Sequence, residues 1–411
     1  MASSEAEVPS RNVAPSSSSS GSSLIKVTRP ARRARYANAV PDYILNDPAL
    51  NEAIALLPDN YNFEIHKSVW KVRSEGVQMV ALQFPEGLLM YACVISDIMR
   101  RFGGVKVIIL GDVTYGACCI DDFTAQKLGA QLLVHYGHSC LVPINTTRIK
   151  VLYVFVEIQF DCSHLEAVLL RNFDPQCRLA LMGTIQFTGA IHKALQSLRS
   201  SFPHMLVPQA KPLSPGETLG CTSPKLPDCE ALVFVADGRF HLEAAMIQNP
   251  LVKAFRYDPY GKALTAEGYD SVLLKKNRWT HILQARTAKR FGLILGTLGR
   301  QGNPDVYRRT KELLRKHGRQ HVQFLMAEIV PQKLFMMKQI DAWVQVACPR
   351  LSIDWGSDLP LPLLTPYELQ VVLGETAWCG SEEGGADTAY PMDYYAASGG
   401  PWANNFKEVK T

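Results

Sequence analysis

The sequence predicts an α/β protein made of three similar units, each a small parallel four-stranded sheet with flanking helices, grouped around a common centre. Three observations predict this fold. Strand and helix patterns alternate along the chain, and the strand segments are apolar at nearly every position, which is typical of parallel strands covered on both faces. The same order of elements also recurs at intervals of about 100 residues, which indicates an internal repeat.

The composition fits a soluble protein of several compact units. The chain has 411 residues, of which 47% are hydrophobic and 20% charged, and this length is too great for one small core. No uninterrupted apolar run approaches the roughly 18 residues that a membrane helix needs, and the first residues lack the basic region and apolar stretch of a secretory signal. We therefore expect a cytoplasmic protein with no membrane partner.

Both ends of the chain differ from the body in composition. Residues 1–40, rich in Ser, Pro, Ala and Arg, are predicted to be a disordered arm because they contain too little apolar surface to form a core. The basic run from Arg29 to Arg35 is either a solvated arm or a nucleic-acid contact; because charge is otherwise dispersed, no direct nucleic-acid partner is expected. Residues 376–411 are predicted to form an irregular tail, whose aromatic side chains can pack onto the body: Tyr390, Tyr394, Tyr395 and Trp402.

Unit one is predicted to span residues 41–175. Its first strand is followed by a turn at Pro85-Glu86-Gly87 and by a helix from about Leu88 that ends at Gly103-Gly104, where glycine allows the chain to leave the helix. Four apolar runs supply the strands of its sheet: Gln78–Phe84, Lys106–Leu110, Gln131–Tyr136 and Lys150–Val156.

Unit two is predicted to span residues 176–285 and repeats this order. A helix at Ala190–Phe202 places Ile191, Leu195 and Leu198 on one face, and a long helical linker, roughly Ser271–Arg290, leads out of the unit. Its predicted strands are Leu179–Phe187, a short one near Met205–Val207, Ala231–Ala236 and Lys253–Tyr257.

Unit three is predicted to span residues 286–375. Asn303 as the N-cap, Pro304 at the first helical position and Gly318 beyond the end delimit one helix. The predicted strands are Phe291–Gly296, Val322–Ala327, Ala342–Ala347 and a last one near Leu361–Leu364.

Three of the ten cysteines occupy comparable places in the three units. Cys118, Cys221 and Cys348 each lie in a loop that follows a strand, and ligands of open parallel sheets bind beyond the carboxyl ends of the strands. Thiolates from three units around one axis suit a 4Fe–4S cluster with one iron left free, whereas the absence of any CxxC pair argues against a zinc finger. Alternatively, all three are ordinary buried cysteines. Cys119 and Cys140 also lie in strand-end loops.

Two other polar loops are candidate ligand sites. Gly296, Gly299 and Gly302 lie in a loop that leads into a helix N-terminus, where free N–H groups favour an anion; this loop is either a carboxylate site or a simple tight turn. A second group of residues follows strands in units two and three and is suited either to the amino and carboxyl groups of an amino-acid-like ligand or to ion pairs between units: Asp237, Arg239, His241, Arg350 and Asp354.

Several long motifs resemble those of the diphthamide-synthase family. They extend over roughly residues 36–375 and occur in the family's order, which makes the resemblance specific. They are YGACCIDDF (115–123), HYGHSC (135–140), KPLSPGETLGCTSP (211–224), DGRFHLE (237–243), RYDPY (256–260), GTLGRQG (296–302) and QVACPRLSIDWG (345–356).

The resemblance implies three α/β units around a 4Fe–4S cluster ligated by Cys118, Cys221 and Cys348. Cys118 is preferred over Cys119 because archaeal family members have a single cysteine there. S-adenosylmethionine is the implied co-substrate, with Gly296, Gly299, Gly302, Asp237 and Arg350 as candidate contacts. The cluster passes one electron to the sulfonium, and no side chain is required as a general acid or base for the cleavage.

The resemblance also implies the product and the partners. A 3-amino-3-carboxypropyl radical adds to the imidazole C2 of one histidine of elongation factor 2, which leaves methylthioadenosine and begins diphthamide formation. The implied partners are the second subunit of a heterodimer, elongation factor 2 and a small metal-binding electron-donor protein.

Three alternatives stay open from the sequence. The chain can be a supporting, non-catalytic subunit, although it retains all three cysteines. It can be a non-radical cluster enzyme of the quinolinate-synthase type, in which the open iron acts as a Lewis acid. It can also bind a nucleotide on its glycine loops without any metal, because fold alone does not determine function.

Overall fold

In the computed structural model of the chain, helices and strands alternate through most of the sequence. The structure describes residues 39–112, 114–380 and 389–407. The predicted N-terminal arm, with its basic run, therefore lies almost entirely outside the described residues. The described residues from 41 to 407 form one compact unit. No helix of the described ranges is both long and apolar enough to cross a membrane.

Fourteen strands are present in the described residues. They are β1 (Tyr61–Asn62), β2 (Met79–Gln83), β3 (Lys106–Leu110), β4 (Leu132–Tyr136), β5 (Lys150–Val154), β6 (Glu157–Ile158), β7 (Leu179–Gly183), β8 (Ala231–Val235), β9 (Lys253–Asp258), β10 (Ala263–Glu267), β11 (Arg290–Gly296), β12 (Gln320–Met326), β13 (Ala342–Val346) and β14 (Leu363–Leu364).

Thirteen α-helices flank these strands in the same part of the chain. They are α1 (Asp42–Leu45), α2 (Pro48–Ile54), α3 (Ile65–Glu75), α4 (Ala92–Gly103), α5 (Asp122–Lys127), α6 (Ser163–Asn172), α7 (Thr188–Leu198), α8 (Phe240–Gln248), α9 (Ser271–Arg286), α10 (Pro304–Lys316), α11 (Pro331–Phe335), α12 (Arg350–Trp355) and α13 (Pro366–Val372).

The first and third sheets have the same topology. Their strand orders are β3-β2-β4-β5 and β12-β11-β13-β14, and all of their strand pairs are parallel. In each, the first strand of the unit lies between the second and the third. Residues of β4 and β13 are buried at every position, as expected for central parallel strands. The predicted fold class, three α/β units with small four-stranded sheets, is confirmed.

The second sheet departs from the prediction of four parallel strands. Its order is β10-β9-β8-β7, and β10 runs antiparallel to β9. The strand predicted near Met205–Val207 is reduced to one parallel bridge between Leu206 and Ala180. That bridge occupies the place of the second strand in the other two sheets, beside the first strand. The antiparallel β10 is an added strand at the opposite edge.

Local signals account for several element boundaries. The side chain of Asn303 accepts hydrogen bonds from the backbone N–H groups of Asp305 and Val306 at the start of α10, which satisfies donors that the helix leaves free. Gly104 ends α4 with a φ of 69°, a conformation that glycine adopts without steric cost. The helix predicted from Leu88 begins instead as a 3-10 turn at Glu86–Tyr91 and becomes α4 at Ala92.

The C-terminal segment, defined as residues 389–407, contains no helix or strand and packs onto the second and third units. Ser223 N–H donates to the Met392 carbonyl over 2.8 Å, and the Arg309 guanidinium of α10 donates to the carbonyls of Pro401 and Ala403. Tyr390 and Met392 belong to the core between α9, α13 and the third sheet. The packing of the tail aromatics onto the body is therefore present in the structure.

Candidate functional site

The turn that contains Cys118 is held by the end of a neighbouring strand. After β3 the chain forms a 3-10 turn, Ala117–Cys119. The Gln83 side chain, at the end of β2, donates from Nε2 to the Cys119 carbonyl over 3.0 Å and accepts from the Asp121 N–H over 3.2 Å. Gln83 is buried, so its amide reaches its full hydrogen-bonding capacity only through such contacts. The first sheet thereby fixes the cysteine turn directly.

Cys348 is positioned in a similar way by the third sheet. It follows β13 after one residue, and Nε2 of Gln345, within that strand, donates to the Cys348 carbonyl over 2.9 Å and to Ser352 Oγ over 3.1 Å. Gln345 is fully buried. A strand-borne glutamine therefore holds the cysteine turn in both the first and the third sheets.

The loop that contains Cys221 is held in place by a different set of contacts. It lies in a tight loop in which Leu219 and Thr222 exchange backbone hydrogen bonds of 2.9 and 3.2 Å. Thr222 in turn forms an antiparallel bridge with Asp393 of the C-terminal segment, and the Tyr394 N–H lies 3.4 Å from the Cys221 carbonyl that accepts it. The second sheet contacts the segment before Cys221 through Gly183, which forms a parallel bridge with Glu217, and the C-terminal segment holds the cysteine loop itself.

The three thiols meet at one centre. Cys221 belongs to a small apolar cluster with Tyr394 and Tyr395, and Cys118 packs against the same cluster. The pKa of Cys118 is raised by its hydrogen bond with Cys119, by burial and by the charges of Cys119, Cys348 and Cys221. A charge affects a neighbour in this way only at short range. We call the region around Cys118, Cys221 and Cys348 the cysteine centre.

Burial makes the cysteine centre unfavourable for free thiolates. It raises the pKa of Cys221 to about 12, with a further contribution from the charge of Cys348. It also raises the pKa of Cys348 to about 11. Cys119 differs, because its hydrogen bond with Cys118 lowers its pKa to about 7, assisted by Gln301. Thiolates crowded in a dry site need a positive centre to remain ionised, and metal binding supplies one while releasing the protons.

The donor set is consistent with a thiolate-bound cluster. Iron–sulfur clusters are held by cysteine thiolates, and their surroundings set the potential. The described residues include no group of three His, Cys, Asp or Glu side chains that is placed to hold a single metal ion. A cubane cluster accepts ligands that are farther apart than those of a single ion, since each ligand binds a different iron atom. The three separated, mutually interacting thiols fit this second arrangement.

The glycine loop at residues 296–302 lies against the cysteine turn of unit one. Gly299 has a φ of 54°, and a Cβ atom there would lie 2.5 Å from the carbonyl carbon and oxygen of Cys119. The next residue, Arg300, donates its N–H to the Cys118 carbonyl over 2.8 Å. Gln301 Nε2 lies 3.2 Å from Cys119 Sγ. Only glycine permits this close backbone approach.

The other two glycines of this loop are also sites of close packing. A Cβ at Gly302 would lie 2.2 Å from the Gly296 carbonyl oxygen, and a Cβ at Gly296 would lie 2.5 Å from Ala347 Cβ. Arg300 completes the junction through a two-pronged ion pair with the buried Asp122, with N···O distances of 2.8 and 2.6 Å. The loop therefore joins unit three to unit one beside Cys118.

Arg350 joins unit three to unit two. Its guanidinium contacts Asp354 at 2.8 Å and Glu243 at 2.5 Å, and it also donates to the carbonyls of Phe240 and Gly220. Because Gly220 precedes Cys221, Arg350 connects the two cysteine loops. Two carboxylates surround this one cation, so the charge of Arg350 is already balanced within the protein.

The remaining predicted ligand residues are dispersed. Asp237 is exposed, and its carbonyl accepts a hydrogen bond from Arg256. Arg239 forms ion pairs with Glu243 and Glu267 near the surface. His241 lies near Arg350. Burial, together with the charge of Arg350, lowers the pKa of His241 to about 4. The structure thus brings Arg350, Asp354 and His241 together and links Arg239 to them through the shared carboxylate of Glu243, whereas Asp237 lies outside that group.

Comparison with known proteins identifies the family. Residues 84–383 match the model of a family described as putative diphthamide synthesis protein. The chain belongs to this diphthamide synthesis family. It is 52% identical over 378 residues to 2-(3-amino-3-carboxypropyl)histidine synthase subunit 1 of Mus musculus, covering 91% of this chain and 84% of that protein. The relative of the same name from Schizosaccharomyces pombe is 50% identical, with 94% and 88% covered.

A solved structure in the family shows the same fold. Dph2 from Pyrococcus horikoshii, crystallised with a 4Fe–4S cluster, superimposes with a TM-score of 0.64 at 26% identity, covering 77% of this chain and 91% of that protein. The resemblance to the diphthamide-synthase family inferred from the motifs is confirmed. The C-terminal segment lies beyond the residues that match the family model.

Three features of this family member were not found by sequence reasoning. Gln83 and Gln345 were counted only as strand residues, although their amides hold the cysteine turns. Tyr395 was noted only as an aromatic residue that can pack back, although it lies beside the cysteine centre. A polar residue inside an otherwise apolar strand was the one available signal for the glutamines. No comparable local signal marked Tyr395.

Proposed function

We propose that this chain holds a 4Fe–4S cluster on Cys118, Cys221 and Cys348 and cleaves S-adenosylmethionine at the methionine γ-carbon. The observation that supports the proposal is that three thiols, one from each sheet unit, influence one another's pKa values, with Cys221 buried and Cys118 and Cys348 partly buried. Three protein ligands leave one iron of a 4Fe–4S cluster free for a co-substrate. The cluster, when bound, supplies the electron that breaks the carbon–sulfonium bond.

The protein's own residues orient the ligands and exclude water. Gln83 and Gln345 fix two cysteine turns through buried hydrogen bonds, and Arg350 ties the third to the second. Tyr394 and Tyr395 cover the centre from the C-terminal side. The orientation of S-adenosylmethionine determines which carbon–sulfur bond of its sulfonium breaks. Rigid surroundings make one orientation reproducible. No general acid or base is needed for this cleavage.

The proposed acceptor is a histidine of elongation factor 2. The 3-amino-3-carboxypropyl group replaces the hydrogen on imidazole C2 and methylthioadenosine leaves. The ring then loses one proton to solvent and one electron, which makes up for the electron spent on the sulfonium, and regains aromaticity. The product matches the name of the relatives, 2-(3-amino-3-carboxypropyl)histidine synthase. The activity is therefore that of a radical transferase in the first step of diphthamide formation.

The proposal includes partners and a location. The relatives are called subunit 1, which supports a second subunit and a heterodimer. A small metal-binding protein is the proposed electron donor, and the cytoplasm is the proposed location. Neither a membrane nor a nucleic acid is a proposed partner.

The contacts to S-adenosylmethionine stay a prediction. Gly296, Gly299, Gly302, Asp237 and Arg350 are the predicted contacts. In the structure the three glycines pack closely against backbone or a neighbouring side chain, and Arg350 is paired with two carboxylates. The close packing of the three glycines and the ion pairs of Arg350 support the cysteine loops whether or not these residues also contact S-adenosylmethionine.

Anaerobic reconstitution of the full chain with its partner subunit tests the cluster. We expect 4Fe–4S absorption and close to four iron atoms per chain, both greatly reduced in Cys118→Ala, Cys221→Ala and Cys348→Ala. Cys93→Ala is the matched control, because Cys93 is an exposed residue of α4. Cys119→Ala should retain the cluster if Cys118 is the ligand. Full absorption in all three single variants would refute the proposed ligand set.

The reaction is tested separately with reductant and S-adenosylmethionine. Release of methylthioadenosine that depends on all three cysteines is expected. A fully loaded, reduced protein that releases none would instead favour Lewis-acid chemistry at the open iron or a supporting role for this subunit.

A further inference from the structure

The C-terminal segment brings Tyr395 to the cysteine centre and fixes its backbone there. The Tyr395 N–H donates to Thr222 Oγ1 over 3.0 Å, and its carbonyl accepts from Asn405 Nδ2 over 2.7 Å. Thr222 directly follows Cys221. The position of Tyr395 is therefore determined by the same loop that carries one of the three cysteines.

The side chain of Tyr395 lies among the cysteines. It is 8% exposed and belongs to the apolar cluster that contains Cys221 and contacts Cys118. Burial and the charges of Cys118, Cys221, Cys348 and Cys119, in that order, raise its pKa. All four of these sulfur atoms therefore lie within electrostatic reach of the phenol, which stays protonated.

The Tyr395 hydroxyl oxygen is not among the fully buried polar atoms that lack a hydrogen-bond partner in the described part of the chain, and the side chain lies in the cluster that contains Cys221. Buried tyrosine hydroxyl groups usually have a hydrogen-bond partner. A protonated phenol can donate one hydrogen bond, and the cysteines are the ionisable residues whose charges act most on it. A donor that is fixed by its backbone and packed in one cluster with Cys221 and Cys118 is suited to a hydrogen bond to sulfur.

We propose that the Tyr395 hydroxyl donates a hydrogen bond to a sulfur atom at the cysteine centre and that Tyr395 is a positioning residue that raises the reduction potential of the cluster. This inference rests on the proposed function, since it needs the cluster. Hydrogen bonds to the sulfurs stabilise the reduced, more negative form of an iron–sulfur cluster and so set its potential. Loss of the donor makes the cluster harder to reduce.

Tyr394 supplies a matched control in the same segment. Its hydroxyl lies 3.5 Å from that of Tyr390, which in turn donates to Glu368 over 3.0 Å. Burial and the charge of Glu368 are the largest causes of the rise in the pKa of Tyr394. Tyr394→Phe therefore keeps the ring in the cluster with Cys221 and removes a neighbouring hydroxyl group that lies beside Tyr390 and Glu368.

The test is a redox titration of the anaerobically reconstituted full chain with its partner, followed by the EPR signal of the reduced cluster. Tyr395→Phe is expected to bind as much iron as the wild type and to show a lower midpoint potential. Tyr394→Phe is expected to leave the midpoint unchanged. Incorporation of 3-fluorotyrosine at position 395, a stronger donor of the same shape, is expected to raise it.

The outcomes separate this inference from the proposed function. Unchanged midpoints in both position-395 variants, with the cluster fully assembled, would overturn the role of Tyr395 and leave the cluster intact. An equal shift in Tyr394→Phe would also overturn it, because the effect would then come from general packing. Wild-type protein without any cluster would instead refute the proposed function. If Tyr395→Phe fails to fold, the fluorotyrosine protein alone decides the sign of the shift.

Discussion

The second unit supports its cysteine differently from the first and third. In the first and third units a buried glutamine from the sheet holds the cysteine turn, through Gln83 and Gln345. In the second unit, the sheet reaches the segment before Cys221 through backbone contacts of Gly183 with residues 216–218. The cysteine loop itself pairs with Asp393 and Tyr394 of a segment that is distant in sequence. A cysteine loop can thus be held either by the sheet of its own unit or by a segment that is distant in sequence.

The two kinds of support differ in the conformational entropy that they cost. Hydrogen bonds from a central strand form together with the sheet, whereas those from the C-terminal segment require that segment to be ordered as well. Ordering each residue of a segment costs about 1 to 2 kcal/mol of backbone entropy, and the buried aromatic residues Tyr390 and Tyr395 offset this cost. We expect the Cys221 loop to be the first of the three to lose its structure.

The largest predicted effect concerns Arg350, which joins the Cys348 side to the Cys221 loop. Arg350→Met should lower the free energy of unfolding of the apo-protein by about 3 kcal/mol, because it leaves Glu243 and Asp354 without their partner. Urea unfolding measures the change.

The matched control is Arg308→Met. The ion pairs of Arg308 with Asp305 and Glu312 are solvent-exposed, so its loss should cost less than about 1 kcal/mol. Equal effects of the two substitutions would contradict the role of Arg350 in joining the two units.

The second prediction concerns Gly299, on the side of the first unit. Gly299→Ala should destabilise the apo-protein by about 1 to 3 kcal/mol, since alanine is strained at positive φ and its Cβ meets the Cys119 backbone at 2.5 Å. Thermal unfolding and the iron content after reconstitution are the measurements.

Gly238→Ala serves as the control for that substitution. Nothing lies within 4 Å of a Cβ at Gly238, and no strain is expected there. If the two variants had the same iron content and the same unfolding temperature, the role of the close contact between Gly299 and the cysteine turn would be contradicted.

The last prediction is a loss of stability in acid at the junction of units one and two. Burial lowers the pKa of His138 to about 4, with a further contribution from the charge of His241, and it lowers the pKa of His241 similarly. The unfolded chain binds a proton near the ordinary histidine pKa of about 6.5. Stability is therefore fully present above pH of about 6.5 and is lost as the pH falls toward 4, by about 1 kcal/mol per histidine near pH 5.5.

Urea unfolding at several pH values tests this sign. The double variant His138→Gln and His241→Gln should show a weaker pH dependence than the wild type between about pH 4 and 6.5. A double variant with an unchanged slope would exclude these two histidines as the cause. His281→Gln is an informative companion, because burial also lowers the pKa of His281 to about 4, in a part of the core away from the cysteine centre.

The strands and the cysteine positions were predictable because their signals are local. Runs that are apolar except for one glutamine marked β2 and β13, and a cysteine placed just after a strand could be assigned to the ligand-binding edge. The antiparallel β10 was missed because its exposed, mixed sequence resembles a loop. The support of Cys221 by Asp393 was not predictable, since it depends on the pairing of two irregular segments. The glycines of the 296–302 loop were found, and the structure adds their contact with Cys119.

The position of the C-terminal segment along the chain affects how the protein is made. A ribosome synthesises Cys118, Cys221 and Cys348 before it reaches Tyr394 and Tyr395. The cover of the cysteine centre can therefore form only after all three thiols are available. The nascent chain would offer the proposed cluster an open centre, whereas in the completed protein the C-terminal segment is docked beside Cys221.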